Sequence, residues 1–547
     1  MTATRLVAAV VLVLSLAPGA HAQQSPTPGA VQRSLDRAVA PSLQRETPPE
    51  IEQQAPPDQT AVPAGGPRFL VKRFTFRGNA LYTEAQLRAE IADREGQQLT
   101  LAEIYAVADR LTDFYHARGH SLAVVTVPAQ QVAAGNVLLE VVEGRVGAIL
   151  FNGNDRYSDD FLRARLTGVA PGSVIRFDTL EHELLMLNDL PGLTVRSVIQ
   201  PGADYGTSDL LLNMAEKPYD GRLALDNFGR RELGEWRVSG NFSLNNPSGR
   251  GDVLLFGLTH TESGLLTSAS AGYNLPVGDR GGRLGAVVSR AEYDVGNLPA
   301  SLGGTSDTYS IGYSEPLLRS RNRNLFFDVG LTYLDPEQEG LLAGPIDAAL
   351  GFLDAGLAYQ QIGANNAQTA VAARIQTNFS KARTRADGTL DNGQRLRLEL
   401  SASHEQPLRP GWALFGRGLL VYSPDELNDL TKYSLGGPSS VRAYLVTEVS
   451  GDSGAEASAE LRHYFLARRG LPGVARLFAD AGWVKCRNVA CVDGDSESSR
   501  TGWGLGLTLY PADRYTVELQ WAHHLDAHEA ADGNENGRFW VFLSADF

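Results

Sequence analysis

The chain has 547 residues, 63 of them acidic and 49 basic, and a formal net charge of −14. This acidic balance argues against a nucleic-acid-binding protein, and the length is sufficient for several domains. With 43% hydrophobic residues, 8% aromatic residues and 57 glycines, the composition is too polar for a helical membrane protein. It favours short alternating strands joined by glycine-bearing turns.

Residues 1–22 have the features of a secretory signal peptide. Arg5 precedes an apolar stretch from Leu6 to Leu16, and the small-residue site Ala20-His21-Ala22 follows. The stretch is too short to span a bilayer as a helix, and no later segment offers about 18 apolar residues in a row. We therefore expect an exported protein in which any membrane insertion uses strands.

A short amphipathic segment (residues 23–45) and a proline-rich linker (residues 46–67) come next. One apolar residue in four marks a helical face, at Val31, Leu35, Val39 and Leu43. Pro41 falls inside this pattern, which limits the helix to two or three turns. The linker has six prolines and almost no large apolar residues, as is typical of an extended, semi-rigid spacer. The alternative is a disordered leader with no role.

Two related modules follow, predicted at residues 68–144 and 145–217. They share a Phe-x-Gly-Asn motif, which recurs 75 residues apart, at Phe76, Gly78 and Asn79 and at Phe151, Gly153 and Asn154. Strands are predicted at Leu122–Val127, Val137–Val142, Leu193–Ile199 and Asp209–Met214. The order β-α-α-β-β, found twice, indicates a tandem repeat of small α+β domains.

The helices of these modules carry predicted start signals. Thr83 with Gln86 and Thr100 with Glu103 have the spacing of capping boxes. Asp178 with Glu181 is predicted to cap a helix that continues through Leu190.

From residue 218 to 547 the helical period disappears and apolar residues alternate with polar ones. Sixteen strands, at roughly 20 residues per strand and connection, would fill this region. Counting also allows fourteen or eighteen strands. A water-soluble sandwich of this length is the alternative fold.

The last ten residues form a strand that stops on a bare aromatic residue. Its apolar face is made by Phe539, Val541, Leu543, Ala545 and Phe547. The other face is mixed, with Trp540, Phe542, Ser544 and Asp546. An apolar face opposite a mixed one suits a wall with lipid outside and water inside, as in an outer-membrane β-barrel. We expect this strand to act as the insertion signal of the barrel.

The two cysteines, Cys486 and Cys491, are close in sequence. In an exported protein this spacing predicts a local disulfide across a loop. A lone pair of thiols offers too few ligands for a metal site, and neither a metal nor a cofactor is predicted.

The repeats resemble POTRA domains, the periplasmic modules placed ahead of outer-membrane barrels. With two such units, a helix and proline linker before them and a terminal-phenylalanine barrel, the chain resembles the two-partner secretion transporters. These are the TpsB proteins of the ShlB/FhaC/HecB type, in the BamA-like superfamily. The resemblance covers essentially all of the mature chain. The implied fold is tandem α+β POTRA domains followed by an all-β transmembrane barrel of about sixteen antiparallel strands.

The resemblance also implies partners and a location. The protein is expected in the bacterial outer membrane, with its POTRA domains in the periplasm. Its expected partner is a large secreted exoprotein of the TpsA type, an adhesin, haemolysin or toxin. Contacts with outer-membrane lipids, and with the barrel-assembly machinery during biogenesis, are also expected. The chain is expected to be a monomer that binds no nucleic acid.

The most specific part of the resemblance is a loop carrying Val441-Arg442-Ala443-Tyr444, followed by Glu448, Gly451, Asp452 and Gly454. In the family, the tip of this loop folds into the barrel and its arginine pairs with an aspartate of a Phe-x-Asp-x-Gly strand. Phe478, Asp480 and Gly482 match that strand, and Asp480 points inward if Trp483 meets lipid.

The family usually has glycine where this chain has Ala443. If that position needs φ > 0, alanine costs on the order of 1 kcal/mol. Arg442 and Asp480 are expected to form a latch between loop and barrel wall, because a guanidinium offers a carboxylate a fork of donors. Two unrelated surface charges are the alternative.

Other functions fit the sequence less well. Gly451-Asp452-Ser453-Gly454 echoes the nucleophile segment of trypsin-like proteases, but Ala455 replaces the final glycine and no triad context accompanies it. No enzyme activity is predicted. An outer-membrane assembly factor of the BamA or TamA kind is the second hypothesis, and a passive porin is the third. Two repeats and the helix-plus-proline leader favour secretion, and a porin leaves the POTRA pair without a purpose.

Overall fold

The computed structural model describes residues 51–53, 66–132, 134–295, 302–340, 349–379, 393–466, 471–488, 491, 494–512, 514–526, 530 and 532–547. The predicted signal peptide, the amphipathic segment and most of the proline-rich linker lie outside these residues. Within the described ranges, no helix is both long and apolar enough to cross a membrane.

Nine strands and four α-helices precede the barrel in the described chain. The strands are β1 (Ile51–Gln53), β2 (Phe69–Val71), β3 (Arg73–Arg77), β4 (Gln97–Leu99), β5 (Val124–Thr126), β6 (Asn136–Val142), β7 (Arg145–Asn152), β8 (Leu193–Pro201) and β9 (Thr207–Glu216). The helices are α1 (Glu84–Glu90), α2 (Leu101–His116), α3 (Asp159–Arg163) and α4 (Phe177–Asn188). The predicted β-α-α-β-β order is confirmed in both repeats. The short β2–β4 pair is an addition that the sequence did not predict.

The two predicted capping boxes are present. The Thr83 hydroxyl accepts from the Gln86 N–H, and the Gln86 side chain accepts from the Thr83 N–H at 2.9 Å. Thr100 and Glu103 form the same reciprocal pair. Each box satisfies two backbone donors that the first helical turn leaves free.

The predicted cap at Asp178 is wrong. Helix α4 begins at Phe177, so Asp178 lies inside the first turn instead of before it, and the helix ends at Asn188, short of Leu190. The Asp178 carboxylate instead accepts from the Arg176 guanidinium at 2.7 and 3.1 Å and from the Thr179 N–H at 2.9 Å. The hydrogen bond from Arg176 is the main cause that holds the pKa of the exposed Asp178 carboxyl below its usual value.

The repeated motif has the same structural role in both modules. Gly78 and Gly153 have φ of +88° and +83°, and a Cβ there would lie 2.2 and 2.4 Å from the carbonyl oxygens of Val141 and Met214. The following asparagines cap the next turn, since Asn79 donates to the Tyr82 carbonyl and Asn154 to the Tyr157 carbonyl, each at 2.9 Å. Phe76 and Phe151 pack against the cores of their modules. The motif therefore allows a close approach between strands that only glycine permits.

The proline-rich linker contributes a strand to the second module. Ile51, Glu52 and Gln53 pair in parallel with residues 197–199 of β8, giving a sheet in the order β1-β8-β9-β7. Ile51 packs against the core of that module. The linker was predicted only as a spacer, so this pairing is a finding of the structure. The first module has the strand order β3-β6-β5.

Sixteen antiparallel strands close into a barrel, as predicted. They are β10 (Tyr219–Asp226), β11 (Arg237–Asn245), β12 (Val253–Thr261), β13 (Leu266–Val277), β14 (Gly282–Val295), β15 (Leu302–Arg319), β16 (Arg323–Gly340), β17 (Leu350–Ile362), β18 (Gln368–Asn378), β19 (Leu396–Arg409), β20 (Trp412–Tyr422), β23 (Ser453–Leu466), β24 (Pro472–Lys485), β25 (Glu497–Leu509), β26 (Tyr515–His524) and β27 (Arg538–Asp546). Between β20 and β23, the short strands β21 (Tyr433–Leu435) and β22 (Val449–Gly451) pair with each other outside the barrel sheet.

The two faces of the barrel differ in chemistry. Large apolar residues lie exposed on the outer face, among them Leu477, Trp483, Leu505 and Phe539, which are 41–52% exposed. On β24 the inner face instead carries Phe478 and Asp480, both buried. This alternation is what a wall between lipid and an aqueous interior requires.

The second module contacts the barrel directly. The Arg319 guanidinium, at the end of β15, binds the Asp189 carboxylate with N–O distances of 2.7 and 2.8 Å. His182 Nδ1 lies 2.8 Å from the Arg319 carbonyl oxygen. Both partners on the module side belong to α4 or follow it directly. The ion pair therefore holds this helix against the β15–β16 turn.

The first and last strands close the barrel at a seam. Residues 222–226 of β10 pair with residues 542–546 of β27. Beyond them, the Phe547 N–H donates to the Gly221 carbonyl at 2.9 Å, and the Gly221 N–H donates back at 3.0 Å. The Phe547 ring covers Gly221, where a Cβ would lie 2.2 Å from ring carbons.

Deleting Phe547 should therefore lower the amount of folded barrel in the outer membrane, because it removes two seam hydrogen bonds and the ring over Gly221. Gly221→Val should have a similar effect, since its side chain displaces the ring. The measurement is heat-modifiable barrel in the membrane fraction. Leu505→Ala, a lipid-facing change on β25, is the control. Normal levels of the truncated protein would contradict the role of the terminal strand.

Candidate functional site

The long loop between β20 and β23 lies inside the barrel. Its tip is fully enclosed, with Val441 and Tyr444 at 0% exposure and Arg442 at 3%. Two glycines shape the approach to the tip: Gly436 and Gly437 have φ of +99° and +102°, and a Cβ on Gly436 would lie 2.1 Å from the Leu445 carbonyl oxygen. The two arms of the loop therefore meet at a spacing that side chains would prevent.

Arg442 and Asp480, the predicted latch, are in contact. The guanidinium donates through Nε and Nη2 to the two Asp480 oxygens at 2.8 and 2.7 Å, and the Arg442 backbone N–H donates to the same carboxylate at 3.2 Å. Nη1 donates to Glu460 at 2.7 Å, and Nη2 to the Ser458 hydroxyl at 2.8 Å. The guanidinium thus has two carboxylate partners, of which the sequence predicted one.

We call these contacts between Arg442 and the barrel wall the lock. Phe478 and Gly482 also contribute to it. The Arg442 guanidinium carbon lies 3.4 Å from the centre of the Phe478 ring, in a cation–π contact. A Cβ on Gly482 would lie 2.6 Å from the Leu435 side chain, so glycine makes room for the loop. Trp483 is on the outer face and 41% exposed. Because side chains alternate along a strand, Asp480, three residues earlier, faces the inside.

The electrostatics favour a charged arginine at the tip. Burial works against the charged form, but the hydrogen bonds and charges of Asp480 and Glu460 outweigh it, so the pKa of Arg442 is raised above its ordinary value. Removing one member of such a buried pair leaves the other desolvated and costs about 3–5 kcal/mol. The loop position consequently depends on this pairing.

A second contact lies beside the first. Glu456, on β23, accepts a hydrogen bond from the Tyr433 hydroxyl at 2.9 Å and another from the Ser440 hydroxyl. The Arg417 guanidinium donates to the Ser440 carbonyl at 3.3 Å. The sequence reasoning missed Glu456 and Glu460. Their signal was the alternation of β23, which places Glu456, Ser458 and Glu460 on one face.

Ala443 does not need a left-handed backbone. It is absent from the described non-glycine residues with positive φ, whereas Thr447, farther along the loop, has φ of +55°. The Ala443 methyl carbon instead lies 2.7 Å from where a Cβ on Gly502 would be. Space for alanine therefore comes from a glycine on the facing strand β25, and the condition for backbone strain at this position, a positive φ, is not met.

The remaining loop residues fix its base and its far side. The Tyr444 hydroxyl donates to Asp526, whose other oxygen accepts from the Thr501 N–H at 2.7 Å. Glu448 accepts from the Leu445 N–H at 3.1 Å. Asp452 is fully buried and accepts from the N–H groups of Leu427 and Arg487, both at 2.7 Å.

Close backbone contacts explain the two glycines near Asp452. A Cβ on Gly451 would lie 2.7 Å from the Lys485 carbonyl oxygen, and one on Gly454 would lie 2.5 Å from the Trp483 carbonyl oxygen.

Cys486 and Cys491 are joined by a disulfide in the adjacent loop, with Cα atoms 5.5 Å apart. Both pack in one apolar cluster with loop residues, including Tyr433 and Val449.

This arrangement holds the loop against the barrel wall. Its charged groups are paired with one another across the loop–wall contact, in an enclosed part of the lumen. Among the residues that the structure describes, no three His, Cys, Asp or Glu side chains converge in a way that would hold a metal ion.

Curated relatives match along most of the chain. The chain is 24% identical over 564 residues to the heme/hemopexin transporter protein HuxB of Haemophilus influenzae, covering 99% of this chain and 98% of that protein. It is 27% identical over 473 residues to the outer membrane transporter CdiB of Escherichia coli, covering 82% of this chain and 78% of that protein.

Solved structures share the fold. CdiB from Escherichia coli superposes with a TM-score of 0.70 at 20% identity, covering 96% of this chain and all of that one. BamA from Haemophilus ducreyi lacking POTRA domains 1–3 superposes with a TM-score of 0.56 at 15% identity, covering 88% of this chain and 100% of that one.

Family models identify both parts of the chain. A ShlB-type POTRA domain matches residues 69–144. The model described as haemolysin secretion/activation protein ShlB/FhaC/HecB matches residues 206–509, more than half of the chain. With its closed barrel, its tandem modules and the docked loop, the chain belongs to the ShlB/FhaC/HecB family of outer-membrane secretion transporters.

Proposed function

We propose that this transporter recognises one large exoprotein, a TpsA-type adhesin, haemolysin or toxin, and secretes it unfolded through its barrel. The observation that carries the proposal is the loop in the lumen, whose tip is held by charge-paired hydrogen bonds beside the apolar cluster that includes Tyr433 and Val449. Such contacts suit a closure that opens, because the cost of desolvating charges offsets much of their attraction. Transport, and no catalysis, is the activity we propose.

The edge of β8 is the proposed recognition site. Extended chains bind sheet edges through main-chain hydrogen bonds that tolerate many sequences. The other candidate edge, β5, is capped by its own module, since Val125 donates to the Thr112 hydroxyl and His116 lies against the Ala123 carbonyl, each at 2.9 Å. The edge of β8 already accepts β1. We therefore infer that the partner replaces β1 there.

The proposed path follows the inner face of β11–β15, away from the lock. By strand register, this face presents small hydroxyl-bearing side chains, among them Ser239, Thr259, Ser270, Ser289 and Ser310. Small polar side chains offer a sliding chain few places to bind. The monomer is the proposed unit, and lipids and the barrel-assembly machinery are its proposed further partners.

The lock residues give the main test of this function. Arg442→Ala and Asp480→Ala should each strongly reduce exoprotein in the medium at unchanged barrel content, because either change leaves a buried charge unpaired. The double mutant should be no worse than a single one, because both remove the same interaction. Arg442→Lys should rescue poorly, since an ammonium lacks the planar fork. Glu460→Gln should be milder, because Asp480 keeps its three hydrogen bonds from Arg442.

The matched control is Arg374→Ala. Arg374 is also a lumen arginine paired with an aspartate, Asp328, at 3.1 Å, but it is 50% exposed and lies on β18, whereas the loop tip binds β23 and β24. Secretion should be near normal in this variant. Wild-type secretion from Arg442→Ala would reject the lock as a functional element.

The disulfide should be dispensable for secretion. Cys486 and Cys491 should resist alkylation unless the protein is first reduced, which mass spectrometry would detect. Because the loop that the disulfide closes is short, replacing both cysteines with serine should lower the free energy of unfolding by about 2–3 kcal/mol at most. Secretion should continue in that double variant, and free thiols in the membrane-derived protein would contradict the prediction.

The leader and β1 should have separable effects. We propose that residues 23–45 act as a removable plug of the lumen, so deleting them should raise single-channel conductance in planar bilayers and leave secretion largely intact. Deleting residues 51–53 as well should additionally increase affinity for the partner, because the edge of β8 is then free. Unchanged conductance would remove the plug role, and unchanged affinity in the longer deletion would remove the competition at β8.

A further inference from the structure

Trp540, on the last strand, contacts the loop tip from the opposite side to Asp480. Its side chain is buried at 3% exposure on the inner face of β27. The indole Nε1–H donates to the Arg442 carbonyl oxygen at 2.7 Å. Arg442 therefore binds β24 through its N–H and guanidinium, and β27 through its carbonyl.

The first strand holds the backbone on both sides of Trp540. Asn227 directly follows β10, and its side-chain oxygen accepts from the Val541 N–H at 2.8 Å. Its amide nitrogen donates to the Phe539 carbonyl at 2.8 Å, and its backbone N–H donates to the Val541 carbonyl at 3.3 Å. The Asn227 side chain thus continues the β10–β27 pairing past the last paired residue, Asp226.

The indole ring is also packed by the chain that leaves β10. The Phe228 ring lies 5.9 Å from the Trp540 ring, edge to face, and stacks on Phe542 at 6.0 Å. Phe228 itself is held by a hydrogen bond from its N–H to the Asp226 carboxylate at 2.9 Å. Farther along the same connection, Arg230 donates to the Thr447 hydroxyl of the loop.

We propose that Trp540 is a positioning residue that makes docking of the loop depend on a closed seam. If β27 separates from β10, Asn227 and Phe228 no longer orient the indole, and the Arg442 carbonyl loses its donor. This inference rests on the proposed function for its consequence, since it couples closure of the pore to closure of the wall. Its test needs no partner protein.

The test is tryptic cleavage after Arg442 in the purified full-length protein in detergent. The bond is enclosed while the loop is docked and becomes accessible when the tip leaves the wall. Trp540→Phe keeps a ring and removes the N–H, so cleavage that yields a new N-terminus at Ala443 should accelerate on the order of tenfold. That factor corresponds to about 1.4 kcal/mol, near the upper end for one hydrogen bond.

Asn227→Ala should accelerate the same cleavage, although the hydrogen bonds of Asn227 go to β27 and not to the loop. Asp480→Ala serves as the positive control, and Trp483→Phe, the same change on the lipid face of β24, should cleave at the wild-type rate. Heat-modifiable migration must remain normal in every variant, which separates loop release from loss of the barrel.

Two results would overturn the proposal. Wild-type cleavage rates in Trp540→Phe would show that the N–H does not position the tip. Acceleration in Trp540→Phe but not in Asn227→Ala would show that the hydrogen bond acts without the seam. The proposed function fails separately, if exoprotein never reaches the medium from cells carrying the wild-type transporter.

Discussion

The docked position of the loop depends on one guanidinium, that of Arg442, which lies in an enclosed part of the lumen against the barrel wall. A lone cation there would be strongly unfavourable, so the loop can dock only where carboxylates already face inward. Asp480 and Glu460 meet that need from adjacent strands. An apolar contact of similar size would hold the loop without such a specific position, and it would oppose release more strongly. A charge-paired contact is specific in geometry and modest in net free energy.

Near this charge, the inner face of the barrel wall carries glycines, which leave room for the loop. Gly482, Gly502 and Gly504 share the inner face near the lock, and a Cβ on each would overlap Leu435, Ala443 or Phe478. The loop can therefore lie directly on the strands, which shortens the distance between Arg442 and its carboxylates. Gly504 leaves room for the Phe478 ring, which lies 3.4 Å from the guanidinium carbon of Arg442. Charge and space are thus provided by the same few strand positions.

Much of the fold followed from local sequence, and the failures have physical reasons. Alternation along the strands predicted the barrel and the inward parity of Asp480, because the period of two is a property of the strand itself. The capping boxes at Thr83 and Thr100 were likewise local. Asp178 failed because the helix begins one residue earlier than its best capping residue. Strand β1 was missed because three residues pair only when β8 is there to receive them.

The site was partly predictable for a similar reason. Arg442 and Asp480 were identified by resemblance, with parity as support. Glu460 was overlooked, although it shares a face with Ser458 two residues away, since alternation gives a face and not a neighbour. Trp540 was assigned only to a mixed face. Its hydrogen bond to Arg442 joins residues 98 positions apart, and such a contact has no local signature.

The docked linker strand has a quantitative consequence for partner choice. Because β1 is covalently tethered, it would compete with the partner for β8 at an effective concentration that the tether sets. That concentration does not depend on how much of any other protein the cell makes. Within the part of the chain that the structure describes, β1 pairs with three of the nine residues of β8. A segment that adds main-chain hydrogen bonds along the whole edge outcompetes it by length, whereas a brief encounter with a short extended peptide does not. Under the proposed competition at β8, the tether sets a threshold on strand length, which would filter unfolded chains in the periplasm without reading their side chains.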